Sequence, residues 1–176
     1  MPTPPDEAIL KSLSQFIEQG IPFNRFMGLL VERIAHGEAV IRIPWRDEFI
    51  GDPFRPALHG GVVSTLIDVT GGAACFAALT SYKDRVSTVD LRVDYLRPVT
   101  KLDLICLAKV VRMGNRVASV QMVVHAGELP DGASADATPA EGSEPIATGR
   151  AVYNVSRADR GHADRGQTPP LDIWKG

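Results

Sequence analysis

Residues 60–79 constrain the fold of this chain more than any other stretch. From Gly60 to Leu79 the sequence is apolar or glycine except at Ser64, Thr65, Asp68 and Thr70. A run of that length suits a membrane span or the central helix of a core. The hydroxyls, the glycines and Asp68 argue for a buried helix in a soluble domain. An acid in such a helix is costly unless it is paired or used. On a helical wheel Gly61, Ser64, Thr65, Asp68, Gly71, Gly72 and Cys75 share one face, where small residues admit a second backbone. Val62, Val63, Leu66, Ile67, Val69, Phe76 and Leu79 occupy the opposite side. His59-Gly60-Gly61 stands at the helix start. Backbone N–H groups there are unpaired and lie at the positive end of the helix dipole, which suits a developing oxyanion.

Spacing then limits what one helix can do. Eight residues separate Gly60 from Asp68, about 12 Å along the axis. A reacting carbonyl carbon must lie roughly 3 Å from both its attacker and its oxyanion donors. One helix cannot supply both. Two antiparallel copies side by side can, the Gly60 end of one meeting Asp68 of the other. The expectation is a site shared between two subunits, with two sites per dimer. Taken singly, each residue has a plainer reading. His59 could cap the helix, Gly60-Gly61 could be a turn, and Asp68 could be a buried acid bonded to amides. Gly71-Gly72 could be a packing notch, and Cys75 a small core residue.

Composition narrows the class. The 176 residues are 44% hydrophobic with a formal net charge of -2, enough for one real core and too little positive charge for nucleic-acid binding. Cys75 and Cys106 lie in apolar segments with no metal spacing, as expected of free thiols in a reducing cytoplasm. Met1-Pro2-Thr3-Pro4-Pro5 has neither the basic start nor the apolar run of a signal peptide.

Along the chain, residues 1–27 read as a lead-in and an N-terminal helix, with Ile9, Leu10, Leu13, Phe16 and Ile17 at helical spacing and Gly20 as the stop. Two strands, 28–35 and 38–44, flank a turn at His36-Gly37. Residues 45–58 form a loop rich in apolar side chains. After the helix come strands near 86–96, 102–112, 116–126 and 146–155, with a two-residue hairpin turn at Gly114-Asn115. In the first of these, Val89, Leu91, Val93 and Tyr95 alternate against Asp90, Arg92 and Asp94. Residues 127–145, rich in Gly, Pro, Ala and Ser, read as a flexible loop. Residues 157–176 read as a tail, leaving 28–156 as the main domain. A long helix against a mostly antiparallel sheet of about six strands is an α+β layout.

His59-Gly60-Gly61, Asp68, Gly72, Thr88-Val89-Asp90-Leu91 and Tyr95-Leu96-Arg97-Pro98 together resemble the hotdog-fold acyl-CoA thioesterases of the phenylacetate-pathway (PaaI-like) type, over roughly residues 25–155. The resemblance implies a central helix wrapped by the sheet, and hydrolysis of an acyl-CoA thioester to a free acid and coenzyme A without a further cofactor. It makes Asp68 the acid that attacks the carbonyl or activates water, and Gly60 the oxyanion donor. It gives His59 an orienting role and makes Thr88 a hydroxyl that positions water. It implies homodimers with sites at the interface, commonly paired into tetramers. Many relatives carry an Asn just before the His-Gly-Gly. Here the loop reads Gly51-Asp52-Pro53-Phe54-Arg55-Pro56-Ala57-Leu58, and Asp52 is the nearest candidate.

Gly61, Asp52, Phe54, Arg97 and Arg116 are the candidate substrate-binding residues. Arg97, Arg112 and Arg116 are placed near strand ends, where cations could meet the phosphates of coenzyme A. Trp45, Phe49 and Phe54 could line an acyl pocket or simply pack. Two other functions stay open: a hotdog hydratase or dehydratase, with His59 and Asp68 moving protons at carbon, and an acyl-CoA-binding module without turnover. No nucleic-acid or membrane partner is expected.

Overall fold

A computed structural model describes residues 7–79, 81, 83–135 and 144–158. Helix α1 (Glu7–Gln15) runs into a π-helical turn, Phe16–Gly20, and α2 (Pro22–Met27) follows. Strands β1 (Leu30–Ala35) and β2 (Glu38–Ile43) form the hairpin expected at His36-Gly37. A 3-10 turn, Asp47–Phe49, leads to a small ribbon of β3 (Ile50–Asp52) and β4 (Ala57–Leu58). Helix α3 spans Gly60–Ala77. Strands β5 (Arg85–Tyr95), β6 (Leu104–Met113), β7 (Val117–Ala126) and β8 (Ala147–Ser156) complete the main sheet.

The six-stranded sheet has the order β1-β2-β6-β7-β8-β5 with every pair antiparallel. Inward residues of successive strands alternate, as a sheet with one covered face requires. Ala39, Ile41 and Ile43 of β2, Leu104, Cys106 and Ala108 of β6, and Ala118, Val120, Met122 and Val124 of β7 join one core with α3. Helix α3 is long and apolar enough to cross a bilayer. Its Leu66, Ile67, Ala74 and Cys75 are instead fully buried in that core. Gly71 and Cys75 are buried there as well, so the small-residue face read from the wheel is narrower than expected. It comprises Gly61, Ser64, Thr65, Asp68 and Gly72.

Three local expectations change. The β6–β7 turn is shifted by one residue: Met113 pairs with Ala118, and the Gly114 N–H donates to the Val117 carbonyl at 2.8 Å, which leaves Asn115 and Arg116 at the tip. In β5 the alternation breaks at a bulge, where Thr88 pairs with Tyr153 and the next pair is Asp90 with Val152. Val89 is the extra residue and is exposed, so Thr88 takes the inward place that period two assigns to Val89. Residues 127–135 are not a loose loop. Leu129, Ala133 and Ala135 pack against Val40, Ile105 and Leu107 on the face of the sheet away from α3. Residues 136–143 and the tail from 159 onward lie outside the described residues.

His125 is buried on that outer side, directly across from Ile105. Burial pulls its imidazole below the ordinary histidine value. A histidine whose folded value is depressed contributes stability that is complete above its unfolded value, near 6.5, and is lost as pH falls from there through the lower folded value. Chemical unfolding of His125→Phe should therefore show a flatter acid-side decline than the parent between about pH 7 and pH 5.

Candidate active site

Asp68 sits in the middle of α3, partly exposed, with its carboxylate tied to the sheet. The Thr88 hydroxyl donates to Oδ1 at 2.8 Å. The Tyr153 hydroxyl lies 2.9 Å from the Asp68 carbonyl oxygen and 3.4 Å from Oδ1, and can donate to both. Register explains this convergence. Thr88 and Tyr153 are direct cross-strand partners, and both face α3 because the bulge has turned Thr88 inward. Among the described residues no donor reaches Oδ2. The acid thus has one satisfied oxygen and one available oxygen.

The start of α3 is built from a second anchor on β5. The Tyr95 hydroxyl lies 3.2 Å from the Gly60 carbonyl and 2.5 Å from the Ser64 hydroxyl. The Ser64 hydroxyl lies 3.1 Å from the same carbonyl, so one of the two hydroxyls donates to the other and that one donates to Gly60. His59 is the N-cap: its Nδ1 accepts from the Gly61 N–H at 2.9 Å, and its carbonyl accepts from the Val62 N–H at 3.0 Å. Nδ1 as acceptor puts the ring proton on Nε2 in the neutral form. Two of the first-turn donors are therefore engaged. The Gly60 N–H has no acceptor among the described residues and is the donor available to an oxyanion.

The loop before α3 is fastened beneath His59. The His59 N–H donates to the Phe49 carbonyl at 2.8 Å, and the Leu58 N–H to the Val99 carbonyl at 2.9 Å. Gly51 lies so close that a Cβ there would stand 2.6 Å from the His59 Cα, so a side chain at 51 would dislodge the cap. Phe49 belongs to the core and carries the Arg46 guanidinium 4.0 Å from its ring centroid. Phe54 is 94% exposed and lines nothing in its own chain.

Asp52 does not stand in for the missing Asn within this chain. Its carboxylate accepts from the Phe54 N–H at 3.0 Å, the Arg55 N–H at 3.3 Å and Arg55 Nε at 3.1 Å. These bonds, the Phe54 amide foremost, hold it below the usual carboxylate range. It shapes the loop as an anion and offers no hydrogen to an oxyanion. Arg97 and Arg116 lie at opposite ends of the sheet. Arg97 follows the end of β5 and bonds Glu144 at 2.6 Å. Exposed Arg116 sits at the other end of the sheet, its carbonyl accepting from the Val155 N–H at 2.7 Å. Ala147 to Val155 is about 27 Å of strand, so Arg97 flanks the Gly60 end and Arg116 the Asp68 end. Burial pushes both Cys75 and Cys106 up to about 12, which rules out either thiol as a nucleophile near neutral pH.

Tyr153 and Tyr95 are the site residues that residue-by-residue reading misses. Tyr95 opens the Tyr95-Leu96-Arg97-Pro98 motif, and the resemblance assigns it no role. For Tyr153 the only signal was the Gly71-Gly72 pair. A Cβ on Gly71 would collide with the Tyr153 hydroxyl, so the notch exists to admit that ring.

A sheet wrapped round one helix, with an acid at mid-helix and an unpaired N–H at its start, defines a hotdog-fold protein of the thioesterase kind. The model of the thioesterase superfamily matches residues 56–133. The medium/long-chain acyl-CoA thioesterase YigI of Escherichia coli is 32% identical over 144 residues, spanning 75% of this chain and 93% of that protein. A solved structure from Shewanella oneidensis, related to the thioesterase superfamily, shares 29% identity at a TM-score of 0.68, over 85% of this chain and 96% of that one. The Escherichia coli PaaI protein from the phenylacetic acid degradation operon is 14% identical with a TM-score of 0.67, over 84% of this chain and 94% of that one, a likeness of fold. The chain belongs to the hotdog thioesterase superfamily.

Proposed function

We propose that this protein is an acyl-CoA thioesterase whose sites are each assembled from two subunits. The observation that carries the reading is the separation of the half-sites. Gly60 is anchored to Tyr95 and Asp68 to Thr88, at two different places along β5. The expected span of about 12 Å on α3 is too long for one thioester carbonyl. A second copy, antiparallel, supplies the missing half. β5 supports this pairing: it is an 11-residue strand at the sheet edge, paired among the described residues only with β8 and carrying exposed Val89. Long free edges are normally covered in native proteins. Two copies joined edge to edge through β5 would bring their α3 helices together, and such dimers could pair further.

In the reaction, the Gly60 N–H of one subunit holds the carbonyl oxygen, and the Nε2–H of His59 orients the thioester beside it. The partner's Asp68 works through Oδ2, either removing a proton from water as it adds to the carbonyl carbon or adding there itself. Negative charge gathers on the carbonyl oxygen, and its return breaks the C–S bond. The thiolate of coenzyme A leaves and takes up a proton. If Asp68 has added, water then hydrolyses the mixed anhydride and frees the acid. Arg97 and Arg116 flank the two ends of the groove as candidates for the phosphates. Arg97 must exchange Glu144 to serve.

The YigI likeness puts medium- and long-chain acyl esters first among substrates. A panel of aryl, short, medium and long acyl-CoA esters, read by a thiol reagent, is the test. Thiol release that depends on Asp68 supports the reading. Hydration of an enoyl-CoA without thiol release shows a hydratase, and tight binding without any turnover shows a binding module.

A further inference from the structure

We propose that Tyr153 is a positioning residue for the Asp68 carboxylate: with Thr88 it fixes Oδ1 inward, so that Oδ2 is the oxygen presented to the substrate. The inference rests on the thioesterase reading of the same site.

A tyrosine in a core normally brings its hydroxyl to a partner, because burying it unpaired is costly. Tyr153 is 1% exposed and lies on β8, inside the sheet. Its hydroxyl could have met any nearby carbonyl. It meets the main chain and the side chain of one residue, Asp68, at 2.9 Å and 3.4 Å. Its one proton is shared between the two acceptors, which places the acid along the helix and bears on its rotamer. The Thr88 hydroxyl completes the hold on the same oxygen. Two hydroxyls on adjacent strands define an orientation that one alone leaves free to swing.

The helix gives up a side chain to make room. A Cβ at Gly71 would overlap the Tyr153 hydroxyl and approach its Cζ to 3.1 Å, and one at Gly72 would stand 3.8 Å from Cε1. Phenylalanine would fill the core equally well without demanding that room for a hydroxyl. Burial, followed by the negative charge of Asp68, pushes the phenol far above its ordinary value. Tyr153 therefore remains a neutral donor throughout the working range and is not the acid or base of the reaction.

The test compares Tyr153→Phe, Gly71→Ala and Asp68→Asn in the intact protein with an acyl-CoA that the parent hydrolyses. Tyr153→Phe should keep its fold by circular dichroism and lose kcat about tenfold, with KM changed less than twofold. The acidic limb of its pH–rate profile should move to higher pH, because the charged carboxylate has lost a donor. Gly71→Ala should reproduce the kcat loss by displacing the hydroxyl, and should cost much less when added to Tyr153→Phe. Wild-type kcat and an unmoved acidic limb in Tyr153→Phe, with Asp68→Asn inactive, would overturn the inference and leave the thioesterase reading intact. A kcat loss in which KM rises in step and the limb stays put makes Tyr153 a packing residue only, which also overturns it. Activity retained in Asp68→Asn would instead remove the reading on which both rest.

Discussion

Asp68→Asn should abolish acyl-CoA hydrolysis, lowering kcat by roughly 10³-fold, while leaving the melting temperature close to that of the parent. The substitution alters one carboxylate oxygen and spares the other. Oδ1 accepts from Thr88 and lies within reach of Tyr153, and an asparagine amide oxygen can keep those bonds. The amide nitrogen then occupies the place of Oδ2, where it can neither take a proton from water nor add to a carbonyl. A change that keeps the internal bonds and removes the basic oxygen separates chemistry from stability. Asp68→Ala also removes the side-chain acceptor of two hydroxyls, one of them on buried Tyr153. It should lose activity equally and lower the melting temperature only slightly, since the Tyr153 hydroxyl keeps the main-chain carbonyl of residue 68 at 2.9 Å and the Thr88 hydroxyl, which loses its acceptor, is exposed. Kinetics with a thiol reagent and thermal unfolding of both variants check the pair. Near-parental kcat in Asp68→Asn would mean that the acid is held for structure alone.

The central helix and its acid were legible because they depend on short-range regularities. An apolar run with glycines at its start predicts α3, and a lone acid within it stands out whatever the tertiary structure. The half-site separation was equally accessible, since it needs only the rise of a helix. Thr88 was different. Strict alternation puts Val89 inward, and only the bulge between Thr88 and Asp90 reverses this. No glycine or proline marks that bulge, so nothing local announces it. Tyr153 was invisible for a related reason. It reads as an ordinary strand residue, and its role comes from a register that aligns it with Thr88 across two strands distant in sequence. Residues 127–135 misled by composition: glycines and prolines suggested slack chain, yet Leu129 and Ala133 cover Ile105 and Leu107. The aromatic loop before α3 divided in a way that hydrophobicity could not foretell, with Phe49 in the core and Phe54 in solvent. Local periodicity carries the scaffold, whereas the hydroxyls that orient the acid depend on pairing between strands.

Gly60→Pro should be the second inactive variant, with kcat lowered roughly 10²–10³-fold, the scale of losing one oxyanion donor. Proline is well tolerated at the first position of a helix, and Gly60 holds that position in α3. The residue before it must be extended. His59 already is, with φ -65° and ψ 132°. A Cβ at Gly60 comes to 3.4 Å of the Tyr95 ring, an ordinary contact. The Gly60 N–H bonds nothing among the described residues, so its removal breaks no internal hydrogen bond. The substitution thus deletes one donor from an otherwise unaltered helix start. Mixed with Asp68→Asn, it tests whether the site is shared. In a randomly reassorted population half the dimers carry one subunit of each kind. In each of these, one site combines an intact Gly60 with an intact Asp68, and the other site has lost both. About a quarter of all sites should therefore work, and two inactive preparations should recover about a quarter of the parental rate after co-refolding. A site contained within one chain predicts no recovery at any mixing ratio, because every chain then carries a lesion in its own site.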